Sequence, residues 1–475
     1  FAGYILVNTY FALFLALRSK TTTRYLWFFV FAVNVVAVLM TAVRGSVAGL
    51  LLSLALFALL YTMGGTSRKV KTAFIAVAAA LLLLEGILVA SNNTNFVKSS
   101  RYLTRLSDIS LKTRLINTRF WAWQAGIDGW NDSAKTIIFG WGPENFNVPF
   151  SIHFNPKFFQ GPGSETLFDR AHNMFVEVLV TMGLLGFTAY LGILAVLFWM
   201  LWRIWKESAD PDHKLFAMVF APGLVAYIIH NSFIFDTSAN FIVFFLLAGF
   251  INYFYFTRKG AVTLDAKVRA QSAPATLKFS AVLILIVLVI ISIYKTSIKP
   301  AKANYAATRA IVASWKGDHA VAVAKFREAL AYAAFPEYEI RHRYAQYVLE
   351  NYGKFKVDQG LNAGEIILQV IEEVKKNKFY KLDYLPYLYV SRAYIILGKS
   401  DSKSPFNDLA LQNSLKALEI SPKFVRTYYE VAQAYLNKKD YSNAIATFQK
   451  AADLNPEVGL SWWYLGLTQM ENRDV

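Results

Sequence analysis

The sequence predicts an all-α protein in which a polytopic bundle of transmembrane helices is followed by a solenoid of helix pairs. Two observations predict this fold class: apolar runs of membrane-spanning length recur up to residue 296, and a repeat with a period of 34 residues follows them. The composition agrees, because 55% of the 475 residues are hydrophobic and only 17% are charged. We expect a transmembrane domain over 1–296 and a repeat domain over 303–475.

Composition also excludes several classes of protein. The chain has no cysteine, which excludes disulfides, thiolate metal sites and a cysteine nucleophile. A net charge of +17 suits nucleic-acid binding only when the basic residues share one soluble face. Here fourteen of the Lys and Arg residues lie in short connections between apolar runs, and nine lie in the loop 91–172. Nucleic-acid binding is therefore not predicted.

Eight apolar runs are each long enough for a membrane span of about 20 residues. They are 1–17, 25–42, 46–63, 72–90, 173–202, 215–235, 238–256 and 279–296. Lys and Arg cluster in every second connection, which by the positive-inside rule is cytoplasmic. We therefore predict a multi-pass protein of the cytoplasmic (inner) membrane, with Arg44, the loop 91–172, the turn after His230 and all residues after 297 on the outer side. Because the chain begins at Phe1 within an apolar run and stops within a repeat, we expect further helices before it and a capping element after it.

The loop 91–172 is rich in tryptophan, basic residues and turn-forming Gly and Pro, so it is expected to fold over the membrane surface. Within it, the stretch 111–130 has apolar residues at helical spacing and is predicted to form an amphipathic helix near the membrane interface.

The repeat after the last span matches the tetratricopeptide pattern of aromatic, small and proline residues. The clearest unit contains Tyr428, Ala432, Tyr435, Ala444, Phe448, Ala451 and Pro456. The unit before it contains Tyr394, Leu397, Gly398, Ala410, Ala417 and Pro422, and the unit after it contains Trp462, Leu465 and Gly466. A weaker copy is predicted around Ala310, Ala322, Phe326 and Ala329, with less regular helix pairs over 341–390.

Ionisable residues at the predicted outer ends of separate spans form the candidate site. They are Arg44, Asp169, Arg170, His172, His230 and Asp236. A simple helix cap and an interfacial histidine would explain the Asp169 to His172 stretch alone, but an arginine near a span is costly unless it pairs or lines a polar cavity. Arginine suits phosphate oxygens, and histidine exchanges protons near neutral pH. Together these residue types suit glycosyl transfer from a lipid diphosphate to a hydroxyl.

Other chemistries lack their motifs in this sequence. There is no Walker loop, no dinucleotide fingerprint and no group of His or carboxylate residues at metal-ligand spacing on the outer side. We therefore expect neither a metal nor a cofactor.

These residues resemble the motifs of the O-antigen ligase and polymerase-related family of integral membrane proteins. The family motif of His, then Asn, Ser or Gln, nine residues and Gly-x-x-Gly is matched by His172, Asn173, Gly183 and Gly186. Arg44 matches an arginine that follows a small-residue helix end. A loop motif is matched by Arg119, Trp123, Gly140, Gly142, Asn145 and Phe146. The resemblance covers about residues 24–256.

The resemblance implies an all-helical, metal-independent transferase of the C-type glycosyltransferase kind. Its donor would be an undecaprenyl-diphosphate-linked oligosaccharide at the outer face of the membrane, and its acceptor a glycan, a lipid or a protein. Arg44 and Arg119 would bind the diphosphate, and His172 would be the base or would orient the acceptor. Further substrate contacts are expected from Arg114, Arg170, Asp169, Asn173, Trp123, Asn145 and His230.

Two alternatives stay open. The first is that the whole chain is a membrane-anchored scaffold, catalytically silent, whose repeats recruit envelope proteins. The repeats themselves would bind a protein partner in their concave face or would only stabilise assembly. A transporter is less favoured, because the notable charges lie at the outer ends of spans and not near the bilayer midplane.

Overall fold

A computed structural model of the chain describes residues 1–64, 89–100, 114–161, 163–164, 166–259, 275–377 and 382–472, with isolated positions between 72 and 107. This part of the chain is helical and contains no strand, which confirms the predicted all-α class. The predicted span 72–90 lies largely outside the described residues.

The chain divides into two compact units. The first combines Phe1–Phe150 with Phe168–Leu264, and the second combines Ser151–Leu167 with Asp265–Val475. The second unit thus includes a short piece of the long loop and the last apolar helix, both of which the sequence assigned to the transmembrane domain. The boundaries 1–296 and 303–475 stay a prediction.

The first unit contains ten helices within its described residues. They are α1 (Ala2–Arg18), α2 (Thr23–Met40), α3 (Arg44–Gly64), α4 (Asn95–Lys98), α5 (Arg114–Trp130), α6 (Ala134–Phe139), α7 (Asn147–Ile152, whose last two residues belong to the second unit), α8 (Met174–Glu207), α9 (Pro211–Asn231) and α10 (Ser238–Thr257). Of these, α2, α3, α8, α9 and α10 are long and apolar enough to cross a membrane, while α1 is shorter.

Aromatic rings and close helix contacts hold the membrane helices together. Phe14 of α1, Phe216 of α9 and Phe254 of α10 pack ring against ring, with centroids 4.0–6.2 Å apart. Helices α3 and α9 approach so closely that a Cβ atom on Gly49 would lie 2.8 Å from the carbonyl oxygen of Ala226. The outward faces keep many large apolar side chains exposed, such as that of Phe245, as expected for contact with lipid.

The second unit contains the last apolar helix and the repeats. Its helices are α11 (Ala275–Ile293), α12 (Lys299–Trp315), α13 (His319–Ala331), α14 (Glu337–Asn351), α15 (Ala363–Lys375), α16 (Tyr384–Gly398), α17 (Pro405–Ile420), α18 (Val425–Asn437), α19 (Tyr441–Leu454) and α20 (Gly459–Glu471). A short π-helical turn, Tyr294–Ile298, joins α11 to α12, and Phe279–Trp315 is a further stretch apolar enough to span a membrane.

The predicted repeat register agrees with the packing of the solenoid. Ala410, Ala432 and Ala451 are fully buried where helices touch. Gly398 ends α16 so close to α17 that a Cβ atom there would overlap the side chain of Asn407. Small residues at these positions therefore allow each helix pair to close.

Asp383 makes the stability of the solenoid dependent on pH. Its Oδ1 accepts a hydrogen bond from the amide of Leu385 (2.9 Å) at the start of α16, and the hydroxyl of Tyr338 donates to its other oxygen. Burial raises the pKa of Asp383 to about 6, against a smaller lowering by the Leu385 amide. Between about pH 4 and 6 the folded state therefore binds more protons than the unfolded state, and it loses stability as the pH rises through this window.

We expect Asp383→Asn, which keeps the capping oxygen, to remove this pH dependence. Between pH 4 and 7 the wild type should lose about 2 kcal/mol relative to the variant. The measurement is hydrogen exchange of α14 and α16 amides in the full chain, corrected for intrinsic rates. The control is Asp440→Asn at the partly exposed N-cap of α19, which should keep the pH dependence of the wild type. Parallel behaviour of Asp383→Asn and the wild type would contradict the assignment.

Candidate active site

Helix α5 is tied to the turn that carries His172. The indole Nε1 of Trp123 donates a hydrogen bond of 2.6 Å to the carbonyl oxygen of Ala171. Arg119 is half-buried and lies one helical turn before Trp123, so the two side chains share a face of α5. Arg114 is the first residue of α5, and its side chain lies outside the described residues.

His172 occupies a left-handed backbone conformation with a φ of 52°, which turns the chain from the loop into α8. Its Nδ1 lies 3.2 Å from the carbonyl oxygen of Arg170. Because a carbonyl oxygen only accepts, Nδ1 is the donor, and the neutral ring keeps its lone pair on Nε2. The ring packs edge-on against Phe168 and Phe235, with centroids 5.7 and 5.4 Å away. The imidazole is therefore held on several sides with Nε2 as the proton acceptor.

Asn173 and Glu177 organise the start of α8. The Oδ1 of Asn173, which the sequence suggested as a substrate contact, caps the helix by accepting from the amides of Phe175 (2.9 Å) and Val176 (3.3 Å). The buried carboxylate of Glu177 accepts from the amide of Ala171 (2.7 Å). Its second oxygen has no hydrogen-bond donor among the described residues.

Sequence reasoning missed Glu177. Its signal was present, because a carboxylate within an apolar run is costly unless it has a specific partner. Its position beside the His172 turn makes it part of the candidate site.

Arg170 is surrounded by carboxylates and an aromatic ring. It forms an ion pair with Glu144, its Nη1 lies 4.0 Å from Oε1 of Glu177, and its guanidinium lies 5.3 Å from the centre of the Phe235 ring. These contacts fix Arg170 directly before Ala171 and the His172 turn. A role in positioning this turn therefore fits Arg170 at least as well as a phosphate contact. Asp169 is exposed.

The turn between α9 and α10 links His172 to the start of α3. Arg44 is the exposed first residue of α3, and a Cβ atom on its neighbour Gly45 would lie 3.0 Å from Phe233. Two residues further along this turn, Phe235 contacts His172. Arg44 and His172 therefore both flank the segment from Phe233 to Phe235.

His230 is buried in the wall of a cavity of about 570 Å³. Its Nδ1 lies 2.7 Å from the hydroxyl oxygen of Ser46, so α3 orients the ring. The cavity is lined mainly by apolar side chains, among them Met40, Val43, Ile234 and Phe235. Phe235 thus belongs both to the cavity wall and to the ring cluster around His172.

Asp236 fixes the same turn from within. It accepts hydrogen bonds from the hydroxyl of Tyr227 and from Nδ2 of Asn231 (2.8 Å). Burial raises its pKa, against the hydrogen bonds that lower it. These contacts give Asp236 a structural role in shaping the turn that carries Phe235.

Three motif glycines form a backbone crossing between the loop and α8. The helix is interrupted at Gly183, where φ is 64°, and this frees the carbonyls of the preceding turn. The amide of Trp141 donates to Val180 O (3.1 Å), and the amide of Gly142 donates to Thr181 O (2.7 Å).

The crossing leaves no space for side chains at Gly140 and Gly183. A Cβ atom on Gly183 would lie 2.4 Å from the backbone of Ile138, and one on Gly140 would lie 2.4 Å from the backbone of Thr181. Asn145 is exposed, and its Nδ2 donates to Trp141 O (3.1 Å). We refer to the contacts of 138–142 with 180–183 as the glycine crossing.

Comparison with known families agrees with this arrangement. Residues 27–191 match the sequence profile of the family described as O-antigen ligase. This region is similar to an O-antigen ligase domain, and we call it the ligase domain. The ligase domain includes Arg44, Arg119, His172 and the glycine crossing, and it supports a membrane ligase or glycosyltransferase function in general. Residues 425–458 match a tetratricopeptide repeat, and a search of curated proteins gave no significant match.

The resemblance inferred from the motifs is thereby confirmed. The match and the apolar helices also support the prediction of a multi-pass membrane protein. The matched region starts close to the expected residue 24 and ends earlier than the expected residue 256. Among the described residues, no three His, Asp or Glu side chains are grouped so as to hold a metal ion.

Proposed function

We propose that the ligase domain transfers or polymerises an undecaprenyl-diphosphate-linked oligosaccharide at the outer face of the cytoplasmic (inner) membrane, without a metal ion. The acceptor is a hydroxyl of a glycan, a lipid or a protein. The observation that carries the proposal is the geometry of His172: Nδ1 donates to the Arg170 carbonyl, which leaves Nε2 to accept a proton.

In the proposed reaction, the acceptor oxygen attacks the anomeric carbon of the donor sugar and its proton passes to Nε2 of His172. The bond from the anomeric carbon to the diphosphate oxygen breaks, and undecaprenyl diphosphate leaves. Arg44 and Arg119 stabilise the negative charge that develops on the diphosphate. Trp123, Asn173, Glu177 and Arg170 hold the His172 turn, as their hydrogen bonds and ion pairs support.

Two features support the choice of substrate and side of the membrane. The cavity beside Phe235 has mostly apolar walls, which suits the isoprenoid part of a lipid carrier. The basic residues Arg18, Lys20 and Arg24 lie around the connection between α1 and α2, and Arg44 follows the opposite end of α2, which favours an outer location for Arg44. Membrane lipids surround the bundle, and the repeats offer a surface for a protein partner.

The proposal is tested by assaying transfer with the purified full chain and an undecaprenyl-diphosphate-linked oligosaccharide, with and without EDTA. We expect Arg44→Ala and Arg119→Ala each to lower the transfer rate by about 100-fold, because each removes a cation that stabilises the leaving diphosphate. Lys135→Ala, which removes an exposed cation of α6 in the same loop, is the matched control and should retain transfer.

Each variant must first reach the membrane in wild-type amounts. Full transfer by both arginine variants would show that the diphosphate is bound elsewhere. Loss of transfer by the wild type on adding EDTA would contradict metal independence and leave the ligase assignment intact.

A further inference from the structure

Residues 151–159 of the long loop pack against the repeat solenoid within the second unit. The hydroxyl of Ser421 donates to Ser151 O (2.6 Å), and Nδ2 of Asn455 donates to Pro156 O (3.1 Å) and Phe159 O (2.8 Å). Ser421 and Asn455 are 34 positions apart, so they occupy the same place in consecutive repeats, and each is followed by a proline. Two successive inter-repeat turns therefore bind one short segment, which includes the 3-10 helix Pro156–Phe158, through equivalent side chains.

Three phenylalanines anchor this segment. Phe154 and Phe158 are fully buried, and the ring of Phe154 meets that of Phe424 at 4.9 Å. Phe159 is buried with Val425, Ala451 and Val458, and its ring lies 5.8 Å from that of Tyr429. Phe424 and Val458 are again 34 positions apart. Apolar anchors in pockets together with hydrogen bonds to main-chain carbonyls are typical of a bound peptide.

The residues that flank 151–167 on either side lie together beside His172. In the first unit the rings of Phe150 and Phe168, which flank 151–167, lie 5.3 Å apart, and the ring of Phe168 lies 5.7 Å from that of His172. The docked segment is therefore continuous along the chain with Phe150, whose ring packs against Phe168 beside His172.

We propose that the inter-repeat turns 421–425 and 455–458 are a binding site for the chain's own segment 151–159. Docking of this segment holds the Phe150–Phe168 pair, and through it His172, in place. The solenoid is then a positioning part of the ligase and not only a module for recruiting other proteins. The link to catalysis rests on the proposed function, whereas the docking itself does not.

The test compares Asn455→Ala with Asn437→Ala in the full chain. Each variant loses two hydrogen bonds of the solenoid, but those of Asn437 go to Ile395 O (3.0 Å) and Asn407 Oδ1 (3.1 Å), within the repeats. In Asn455→Ala we expect hydrogen exchange at the 151–159 amides to become about 10-fold faster or more, with faster exchange at 168–173 and slower transfer. Asn437→Ala should leave all three unchanged.

Ser421→Ala removes the separate hydrogen bond to Ser151 and should reproduce the pattern of Asn455→Ala. Protection of α18 and α19 amides shows that each variant keeps a folded solenoid. Unchanged exchange at 151–159 would overturn the docking. Faster exchange at 151–159 with unchanged exchange at 168–173 and unchanged transfer would overturn the positioning role. If the wild type transfers no glycan, the proposed function fails, and exchange at 168–173 alone decides the positioning.

Discussion

His172→Ala is expected to lower the glycan transfer rate by about 10²- to 10⁴-fold while the protein stays in the membrane, because it removes the group that we propose as acceptor of the proton from the attacking hydroxyl. The surrounding turn keeps most of its support. Trp123 and Glu177 bond to the backbone of Ala171, and Asn173 caps α8, independently of the imidazole. The measurement is the initial rate of transfer at saturating donor and acceptor.

The backbone of His172 requires a second variant as control. Its φ of 52° favours residues that tolerate the left-handed region, and alanine tolerates it less well than asparagine. His172→Asn keeps this tolerance and a polar side chain but cannot accept a proton near neutral pH. Equal loss of transfer in both variants supports the role of His172 as the base. An active His172→Asn beside an inactive His172→Ala would mean that the turn, and not the proton transfer, depends on this residue.

The sequence predicted the fold well because its signals are periodic. Apolar runs predicted most of the membrane helices, and the 34-residue repeat predicted helix pairs such as α18 and α19 in the right register. The interruption of α8 at Gly183 was not predicted, since one residue with a positive φ leaves the apolar pattern of 173–202 unchanged. The packing of 151–159 against the solenoid was missed for a similar reason, because a short irregular segment has no period.

The site was predicted only where a motif marked it. His172 and Arg119 were proposed on motifs of the family resemblance, and the structure brings α5 and the His172 turn together through Trp123. Glu144 and Phe235 were missed, because their roles arise from contacts with Arg170 and His172 across different elements. Such contacts depend on tertiary structure, which spacing along the chain does not encode.

Gly183→Ala is expected to destabilise the ligase domain by about 3–5 kcal/mol, the second large effect that the structure predicts. Alanine disfavours a φ of 64°, and its Cβ atom would lie 2.4 Å from the backbone of Ile138. Relief of this overlap must separate the loop from α8, which removes the hydrogen bonds from Trp141 and Gly142. The measurement is thermal unfolding of the purified protein in detergent, together with its amount in the membrane.

Gly192→Ala is the matched control, because Gly192 lies in the helical part of α8 with no atom within 4 Å of a Cβ placed there. It should change stability by less than about 1 kcal/mol. Gly140→Ala should lower stability by a similar amount to Gly183→Ala. The double variant should lose less stability than the sum of the two single losses, since either change already opens the same crossing. If the motif glycines instead admitted substrate close to the backbone, Gly183→Ala would lose transfer and keep wild-type stability. The two explanations therefore predict opposite results in the unfolding measurement.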